Sequence, residues 1–380
     1  MKVKDLMRAM GSIADPRLAE EWDNVGLVVG DPARELTGPV VVTVDCTPVV
    51  VEDAARAGAS AIVAYHPPLF RPTKRLAGPD VKSLALLRAI EAGMAIYSPH
   101  TALDAVEDGL TDWLCGALAP AGQAPSASFG DVRALDPAQR HSDGADHKIV
   151  TFLPREDTEK VRDALASIGA GRIGLYKRCS FELDGVGTFL AGEGASPTRG
   201  DAGAFERVDE VRLEMVCPGR ALGLAREMLE RFHPYDEPAW DVYPLTPKPN
   251  RRLGAGRRLT LDRPARPSEL AQRIKTNLGL PVVKTALVDD EPVTRIGVCA
   301  GSGASLLDAA IDDGCTLFFT GEMSHHEGLA AVHRGCGVLL AGHTNTERGF
   351  MPTLASRLSQ AMDGYDVRVS SADTSLFRSV

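Results

Sequence analysis

Apolar strands that alternate with amphipathic helices are the feature that most constrains the fold of this chain. Near the N-terminus, the apolar stretches are residues 39–46, 59–66 and 94–100, and the helical patterns are 49–58, 80–93 and 107–118. A strand without polar positions is buried on both faces, as in a parallel sheet covered by helices. The rhythm returns in the last third, with predicted strands at 293–301, 315–322 and 336–343 and a long last helix at 345–362. The sequence therefore predicts two separate α/β segments.

The residues between these segments follow a different order. The predicted elements are strand 147–154, helix 155–169, strands 180–191 and 207–218, helix 219–233 and strand 238–245. This β-α-β-β-α-β order is that of a ferredoxin-like domain. Stretches rich in Pro and Gly, 119–130 and 246–256, are interpreted as linkers. The predicted fold is α/β, with two α/β segments forming one core and an inserted ferredoxin-like α+β domain. The predicted domains are residues 1–125, 126–250 and 251–380.

Composition excludes several classes of protein. At 380 residues the chain is too long for a single hydrophobic core. It has no apolar run of about 18 residues, so we expect no transmembrane helix and no membrane partner. A formal net charge of −9 argues against a nucleic-acid partner on electrostatic grounds. Seven scattered cysteines without a CxxC pair favour reduced thiols and a cytoplasmic location.

Polar side chains collect where the predicted strands end. Ligands of open α/β sheets bind beyond the carboxyl ends of the strands. The residues found there are Asp45, Tyr65, His66, His100, Asp104, Glu322, His325, His326, His343 and Glu347. They include five of the nine histidines in the chain. Imidazole and carboxylate groups together suit a divalent metal site, and two ions about 3.5–4 Å apart form a hydrolytic centre.

Each of these signals also has a structural interpretation. Asp45 and Glu322 could cap the helices that follow them. The loop 300–305, AGSGAS, could cradle a phosphate or be a simple turn. The cysteines in or beside apolar strands are more typical of buried small residues than of metal ligands. They are Cys46, Cys299, Cys315 and Cys336.

Several ordered motifs resemble those of one known family. They are EEWDNVGLVVGD (20–31), VDCTPVVVEDA (44–54), YHPPLFRPTKRL (65–76), YSPHTALDA (97–105), TGEMSHHE (320–327) and GHTNTERGF (342–350). They resemble the Nif-three-like dinuclear-metal proteins, also labelled GTP cyclohydrolase I type 2 homologues. The middle segment, at 169–176, 187–197 and 233–243, is similar to the domain that longer family members share with PII and copper-tolerance proteins.

The resemblance implies a set of ligands. One ion would be held by His66, Asp104 and Glu347, and the other by His343 and Glu347, with two divalent ions per subunit that are zinc, iron or manganese. Tyr65 stands where the family has a histidine. A protonated phenol is a poor ligand, so we expect the second ion to bind weakly. The alternatives are that His100, His325 or His326 partly holds it, or that Tyr65 binds a hard ion such as iron(III). The resemblance also implies a homo-hexamer.

These observations lead to two functional hypotheses. The first is a metal-dependent hydrolase acting on a nucleotide or another phosphorylated small molecule, with His100, His325 or His326 as general acid or base. Lys74, Arg75 and Arg348 are candidates for binding an anionic substrate. The second is a metal- or nucleotide-binding regulator or scaffold without turnover.

Overall fold

A computed structural model gives the fold of the chain. It describes residues 1–78, 80–120, 122–123, 129–140, 145–192, 194, 197–201, 203–246 and 248–377. The chain divides into two compact units. The first unit consists of Met1–Ala138 and Asn250–Val380, and the second unit is Gln139–Pro249. The first unit is thus built from two separate parts of the sequence.

The N-terminal part of the first unit alternates strands with helices. Its elements are α1 (Val3–Ile13), β1 (Gly26–Val29), β2 (Val40–Thr43), α2 (Pro48–Arg56), β3 (Ala61–Ala64), α3 (Val81–Glu91), β4 (Ala95–Ser98), α4 (His100–Ala105), α5 (Leu110–Cys115), β5 (Gly130–Arg133) and β6 (Asp136–Arg140). Every residue of β2, β3 and β4 is buried, which explains their unbroken apolar sequences. These strands lie in a sheet of order β1-β4-β3-β2-β17, where β17 is the last strand of the chain (Val367–Val369). Strands β17, β2, β3 and β4 are parallel, and β1 is an antiparallel edge.

The second unit has its own sheet and core. Its elements are β7 (His147–Leu153), α6 (Thr158–Ser167), β8 (Phe181–Leu190), β9 (Phe205–Cys217), α7 (Leu222–Phe232) and β10 (Trp240–Pro244). The antiparallel sheet has the order β10-β7-β9-β8. Apolar residues of its strands and helices, including Leu213 and Leu229, form one buried cluster.

The C-terminal part of the first unit forms a second mixed sheet. The remaining elements are β11 (Lys248–Ala255), β12 (Arg257–Ala265), α8 (Pro267–Asn277), β13 (Lys284–Ala286), β14 (Val293–Ser302), α9 (Leu307–Asp312), β15 (Leu317–Glu322), α10 (His325–His333), β16 (Gly337–Leu340) and α11 (Met351–Ala361). The sheet order is β13-β16-β15-β14-β12-β5, and its central strands β14, β15 and β16 are parallel.

Both sequence parts of the first unit share one core. Val42 and Val63 of the first sheet belong to the same buried cluster as Phe319 and Leu339 of the second sheet, and Leu354 of α11 packs there too. The predicted α/β class is confirmed. Burying these apolar surfaces together is the main term that stabilises the unit. None of the described helices is long and apolar enough to cross a membrane.

Some predicted elements differ from the structure. Much of the predicted linker 246–256 is strand β11, which pairs with β6, so strand pairing overrides its Pro and Gly content. The predicted linker 119–130 lies partly outside the described residues. The last helix does not begin at residue 345. Residues 344–346 and 348–350 form short 3₁₀ turns, and α11 starts at Met351 with Pro352 in its first turn, where proline is favoured.

Candidate metal centre

The strand ends of both sheets meet around one cavity of the first unit. Its volume is about 730 Å³. Of the residues predicted from the sequence, those that line it are Asp45, Tyr65, His66, His100, Asp104, His343 and Glu347. They follow β2, β3, β4 and β16, as expected for ligands beyond the carboxyl ends of parallel strands.

Three of these side chains form a group that could hold a metal ion. His66, His343 and Glu347 each offer one ligand atom, and all three atoms lie within 4.8 Å of one another. The Glu347 Oε1 atom is 3.2 Å from Nε2 of His343 and 3.6 Å from Nε2 of His66. Ligands of a tetrahedral zinc ion, bound at about 2.0–2.2 Å, lie about 3.3–3.6 Å apart. The two distances from Glu347 therefore fit a single ion shared with the two histidines.

Two further carboxylates fix the orientation of these imidazoles. Nδ1 of His66 lies 2.9 Å from Asp45 Oδ1, and Nδ1 of His343 lies 2.9 Å from Glu322 Oε1. Since each Nδ1 is engaged, Nε2 is the nitrogen left for a metal, the usual arrangement in histidine sites. The helix-capping interpretation of Asp45 and Glu322 is wrong.

The caps of those two helices come from other residues. The Thr47 hydroxyl accepts a hydrogen bond from the backbone N–H of Val50 at the start of α2. Ser324 forms a capping box with Glu327 at the start of α10. In each case the hydroxyl residue two positions after the carboxylate is the cap, which leaves the carboxylate free to bind a histidine.

The electrostatics of the centre favour positive charge. Burial disfavours a proton on His66, but the hydrogen bond to Asp45 and the attraction of Glu347 raise its pKa to about 10. The contact with Glu347 raises the pKa of His343 to about 9. Burial alone would raise the pKa of Glu347, yet the two histidines hold it below its ordinary value. Three carboxylates around two imidazoles thus stabilise a cation, whether protons or a divalent ion.

One buried atom at this centre lacks a partner. Glu347 is only 1% exposed, and its Oε2 atom has no hydrogen-bond partner among the described residues. An unsatisfied buried carboxylate oxygen is costly, so the atom calls for a cation or an ordered donor. The donor set of this centre therefore fits a metal ion.

Gly301 leaves the space that the centre needs. It has a φ of +59°, and a Cβ atom there would lie 2.8 Å from Glu347 Oε1 and 3.0 Å from His343 Nε2. Its backbone N–H donates to the Thr346 hydroxyl at 2.9 Å. The segment 300–305 is the end of β14 followed by the start of a short 3₁₀ turn, and it thus brings its backbone against the candidate ligands. Sequence reasoning assigned it no such role, although its paired glycines were a signal.

Tyr65 and Asp104 form a separate buried pair. The Tyr65 hydroxyl donates to Asp104, at 2.8 Å from Oδ1 and 2.9 Å from Oδ2. Burial raises the pKa of Tyr65 well above its ordinary value, so the phenol keeps its proton. Burial also raises the pKa of Asp104 to about 6. In this structure the two side chains bind each other. Their assignment as metal ligands stays a prediction.

His100 is held by a carboxylate that the sequence analysis did not identify. Asp23 Oδ1 lies 2.7 Å from His100 Nδ1, and Asp23 Oδ2 accepts from both the backbone and the hydroxyl of Thr101. The Asp23 side chain is fully buried. His100 has a φ of +28°, an unusual backbone conformation for a non-glycine residue that is often found at functional sites.

The other two predicted histidines lie elsewhere. His325 and His326 open helix α10 and are exposed, and they are not among the residues that line the cavity. Their catalytic role stays a prediction.

Fold and centre together define an α/β protein with a candidate metal site of two histidines and a carboxylate. The family profile described as Duf34/NIF3 (NGG1p interacting factor 3) matches residues 1–375. The chain therefore belongs to the Duf34/NIF3 family, which confirms the resemblance drawn from its motifs.

Similar proteins agree with this assignment. A protein of Mycobacterium tuberculosis named GTP cyclohydrolase 1 type 2 homolog is 35% identical over 328 residues, covering 86% of this chain and 83% of that protein. The protein of that name from Bacillus subtilis is 30% identical over 362 residues, covering 94% and 93%. The crystal structure of a Bacillus cereus protein related to NIF3 matches with a TM-score of 0.72 at 28% identity, over 100% of this chain and 99% of that one.

Proposed function

We propose that this protein is a metal-dependent hydrolase in which His66, His343 and Glu347 hold a divalent ion. The observation that carries the proposal is the unpartnered, buried Oε2 atom of Glu347 beside two imidazoles. Zinc, iron or manganese suits this mixed nitrogen and oxygen set. When bound, the ion would supply a water molecule of lowered pKa and polarise the substrate.

The residues around the centre have distinct tasks in this mechanism. Asp45 and Glu322 hold Nδ1 of the two imidazoles, so that Nε2 of each faces Glu347. His100 is the candidate general acid or base. Because Asp23 engages its Nδ1, Nε2 is the atom that would give or take a proton in the cavity. The carboxylate partner sets the tautomer and orientation of the ring, as in other histidine-based catalytic sites.

This proposal places both histidines on one ion, whereas the resemblance divides them between two ions and puts Asp104 with His66. A second ion, near Tyr65 and Asp104, is proposed to bind weakly. The phenol of Tyr65 donates to both oxygens of Asp104, so this carboxylate has a donor without a second cation. A second ion at this edge would have to compete with that hydrogen bond. Metal content close to one ion per subunit supports this part of the proposal, and two tightly bound ions contradict it.

The remaining parts of the proposal concern substrate and assembly. Relatives carry the name GTP cyclohydrolase 1 type 2 homolog, which supports a nucleotide or a related phosphorylated small molecule as substrate. The order of elements in the second unit supports its assignment as the ferredoxin-like insert. The homo-hexamer and the cytoplasmic location rest on the family resemblance and on composition.

The decisive experiment combines metal analysis with a turnover screen. The protein is purified without a nickel step, and metal content per subunit is measured for the wild type and for Glu347→Ala. The exposed Glu91, at the end of α3, gives the control variant Glu91→Ala. We expect metal in the wild type and in the control, but not in Glu347→Ala.

The screen uses nucleotides and phosphoesters with the metal-loaded protein. Turnover that requires metal and disappears in Glu347→Ala supports the hydrolase. Bound metal without turnover of any of these compounds favours the regulator or scaffold instead. A wild type that takes up no zinc, iron or manganese contradicts the metal centre itself.

A further inference from the structure

Two large aromatic side chains are exposed in the cavity that contains the candidate metal centre. Trp22 is 59% exposed and Phe70 is 44% exposed, and both line the cavity that contains His66, His343 and Glu347. Their ring centroids are 5.7 Å apart at an angle of 60°. Exposed aromatic surface of this kind is unfavourable in water and often marks a binding site.

The aromatic pair is continuous with the metal centre. The His100 ring packs against both of them, with its centroid 6.1 Å from that of Trp22 and 6.2 Å from that of Phe70, so the three rings form one cluster. The His100 ring is also 5.4 Å from the ring of His66. The ring of His100 thus connects the aromatic pair to the proposed ligand His66, and all four side chains line the same cavity.

The backbone that carries Trp22 is anchored on its C-terminal side. Asp23 is buried and binds His100 and Thr101, as described above. The side-chain amide of Asn24 donates to the carbonyl of Leu69, the residue before Phe70. Two loops that are 45 residues apart in sequence are thus tied together directly beside the two aromatic rings. The exposure of Trp22 is a property of an anchored loop.

The rest of the cavity is polar and of suitable size. At about 730 Å³ it is in the range of small-molecule sites, which are about 300–1,000 Å³. Glu20 and Asp136 offer carboxylates that can accept from ring N–H or amino groups, and Lys82 offers a cation. The exposed face of an aromatic ring combined with acceptors suits a nitrogen heterocycle better than an aliphatic molecule.

We infer that Trp22 and Phe70 form a stacking wall that makes this site selective for a ligand with a planar nitrogen heterocycle. The inference rests on the proposed function for the position of the reacting bond, which would lie over His66, His343 and Glu347. It adds the chemistry of the part of the substrate that does not react. Trp22 is then a specificity-determining residue, and Phe70 completes the wall.

The test measures binding without turnover. The probes are guanosine 5′-monophosphate, adenosine 5′-monophosphate and uridine 5′-monophosphate, with ribose 5-phosphate as the ring-free match. Affinities are measured by calorimetry on the zinc-loaded protein and again on the metal-free protein. The variants are Trp22→Ala and Trp22→Phe, with Phe205→Ala as a control because Phe205 is an exposed aromatic residue of the second unit.

We expect at least one mononucleotide to bind more tightly than ribose 5-phosphate. Trp22→Ala should weaken the affinity for that mononucleotide about 5- to 150-fold, which is the effect of losing the stacking of one base. Trp22→Phe should retain most of the affinity, and ribose 5-phosphate should be unaffected by either change. Metal content should be the same in all variants.

Three results would overturn the inference. One is that no mononucleotide binds better than ribose 5-phosphate. Another is that Trp22→Ala weakens the affinity for the mononucleotide and for ribose 5-phosphate by the same factor. The third is a change in molecular mass on light scattering in Trp22→Ala, which would mean that a second copy of the chain covers the wall. Failure of the hydrolase proposal is seen separately, as absent turnover or absent metal with ring-selective binding retained.

Discussion

The two units hold three of their histidines in opposite ways. In the first unit, His66 and His343 each have a carboxylate at Nδ1 and face a third carboxylate with Nε2. In the second unit, His233 is buried, and its partners are backbone groups. Its Nε2 donates to the carbonyl of Phe152, and its Nδ1 accepts from the N–H of Tyr235, both at 3.1 Å.

The difference shows which histidines are prepared for a cation. Carboxylates raise the pKa of His66 and His343, whereas burial lowers the pKa of His233. The neutral form of His233 satisfies both ring nitrogens and leaves none for a metal. The centre in the first unit differs, because it has more carboxylate oxygens than hydrogen-bond donors. One of these oxygens, Oε2 of Glu347, has no donor among the described residues.

The largest effect on the metal centre is expected from filling the space beside Glu347. In Gly301→Ala, the new methyl group would lie 2.8 Å from Glu347 Oε1, at a φ of +59°. We expect bound metal to be lost or nearly lost, as measured by elemental analysis. Gly279→Ala is the matched control, since Gly279 has a φ of +65° and nothing within 4 Å of the added Cβ. Equal metal content in the two variants would contradict the assignment of this centre.

A smaller effect is expected from removing an orienting carboxylate. Asp45→Ala frees Nδ1 of His66, so the ring can rotate and change tautomer. Loss of such a partner typically weakens metal affinity about 10- to 100-fold, measurable for zinc by chelator competition. Asp45→Asn keeps an acceptor oxygen and should fall between Asp45→Ala and the wild type. Wild-type zinc affinity in Asp45→Ala would mean that Asp45 does not orient the ligand.

The sequence was sufficient to predict the three candidate ligands that the structure brings together, but not their partners. His66, His343 and Glu347 were found because apolar strands end directly before them or before the turn that carries them. Asp45 and Glu322 were ambiguous, since a carboxylate just before a helix can also cap it. Only the structure shows that Thr47 and Ser324 take that role.

Contacts between distant parts of the chain were the least predictable. Asp23 is 77 residues from His100, and Tyr65 is 39 residues from Asp104. No local pattern encodes such pairs, because they depend on how the strands are ordered in the sheet. His343 and Glu347 are four residues apart, a spacing that places two side chains on the same face of a helix. Their side chains are in contact, but two 3₁₀ turns and not an α-helix carry them.

The Tyr65–Asp104 pair allows a test on stability. Tyr65→Phe removes the donor of a buried carboxylate without changing the shape of the ring. Leaving such a group unsatisfied costs about 1–3 kcal/mol, so we expect a lower free energy of unfolding in urea. Zinc affinity should change less than in Asp45→Ala. A large loss of zinc in Tyr65→Phe would instead support Tyr65 as a ligand.

The weakest effect should be a pH dependence confined to the second unit. Burial lowers the pKa of His233 below its ordinary value, against the hydrogen bond to the Phe152 carbonyl and the charge of Asp157. The unfolded chain therefore binds a proton near pH 6.5 more readily than the folded unit does. By linkage, the stabilisation is complete above about pH 6.5 and is lost as the pH falls through the folded pKa.

Hydrogen exchange of peptides from α7 and β10 can detect this loss. Between pH 7.5 and 5.5, the opening free energy should fall more in the wild type than in His233→Gln, which cannot take up the proton. Comparing the two proteins at each pH removes the intrinsic pH dependence of exchange. If the opening free energy falls equally with pH in the two proteins, folded His233 takes up its proton without losing the hydrogen bond from the Tyr235 N–H. The contrast between the histidines of the two units would then lose its physical basis, because a protonated Nδ1 cannot accept from that N–H and needs another partner.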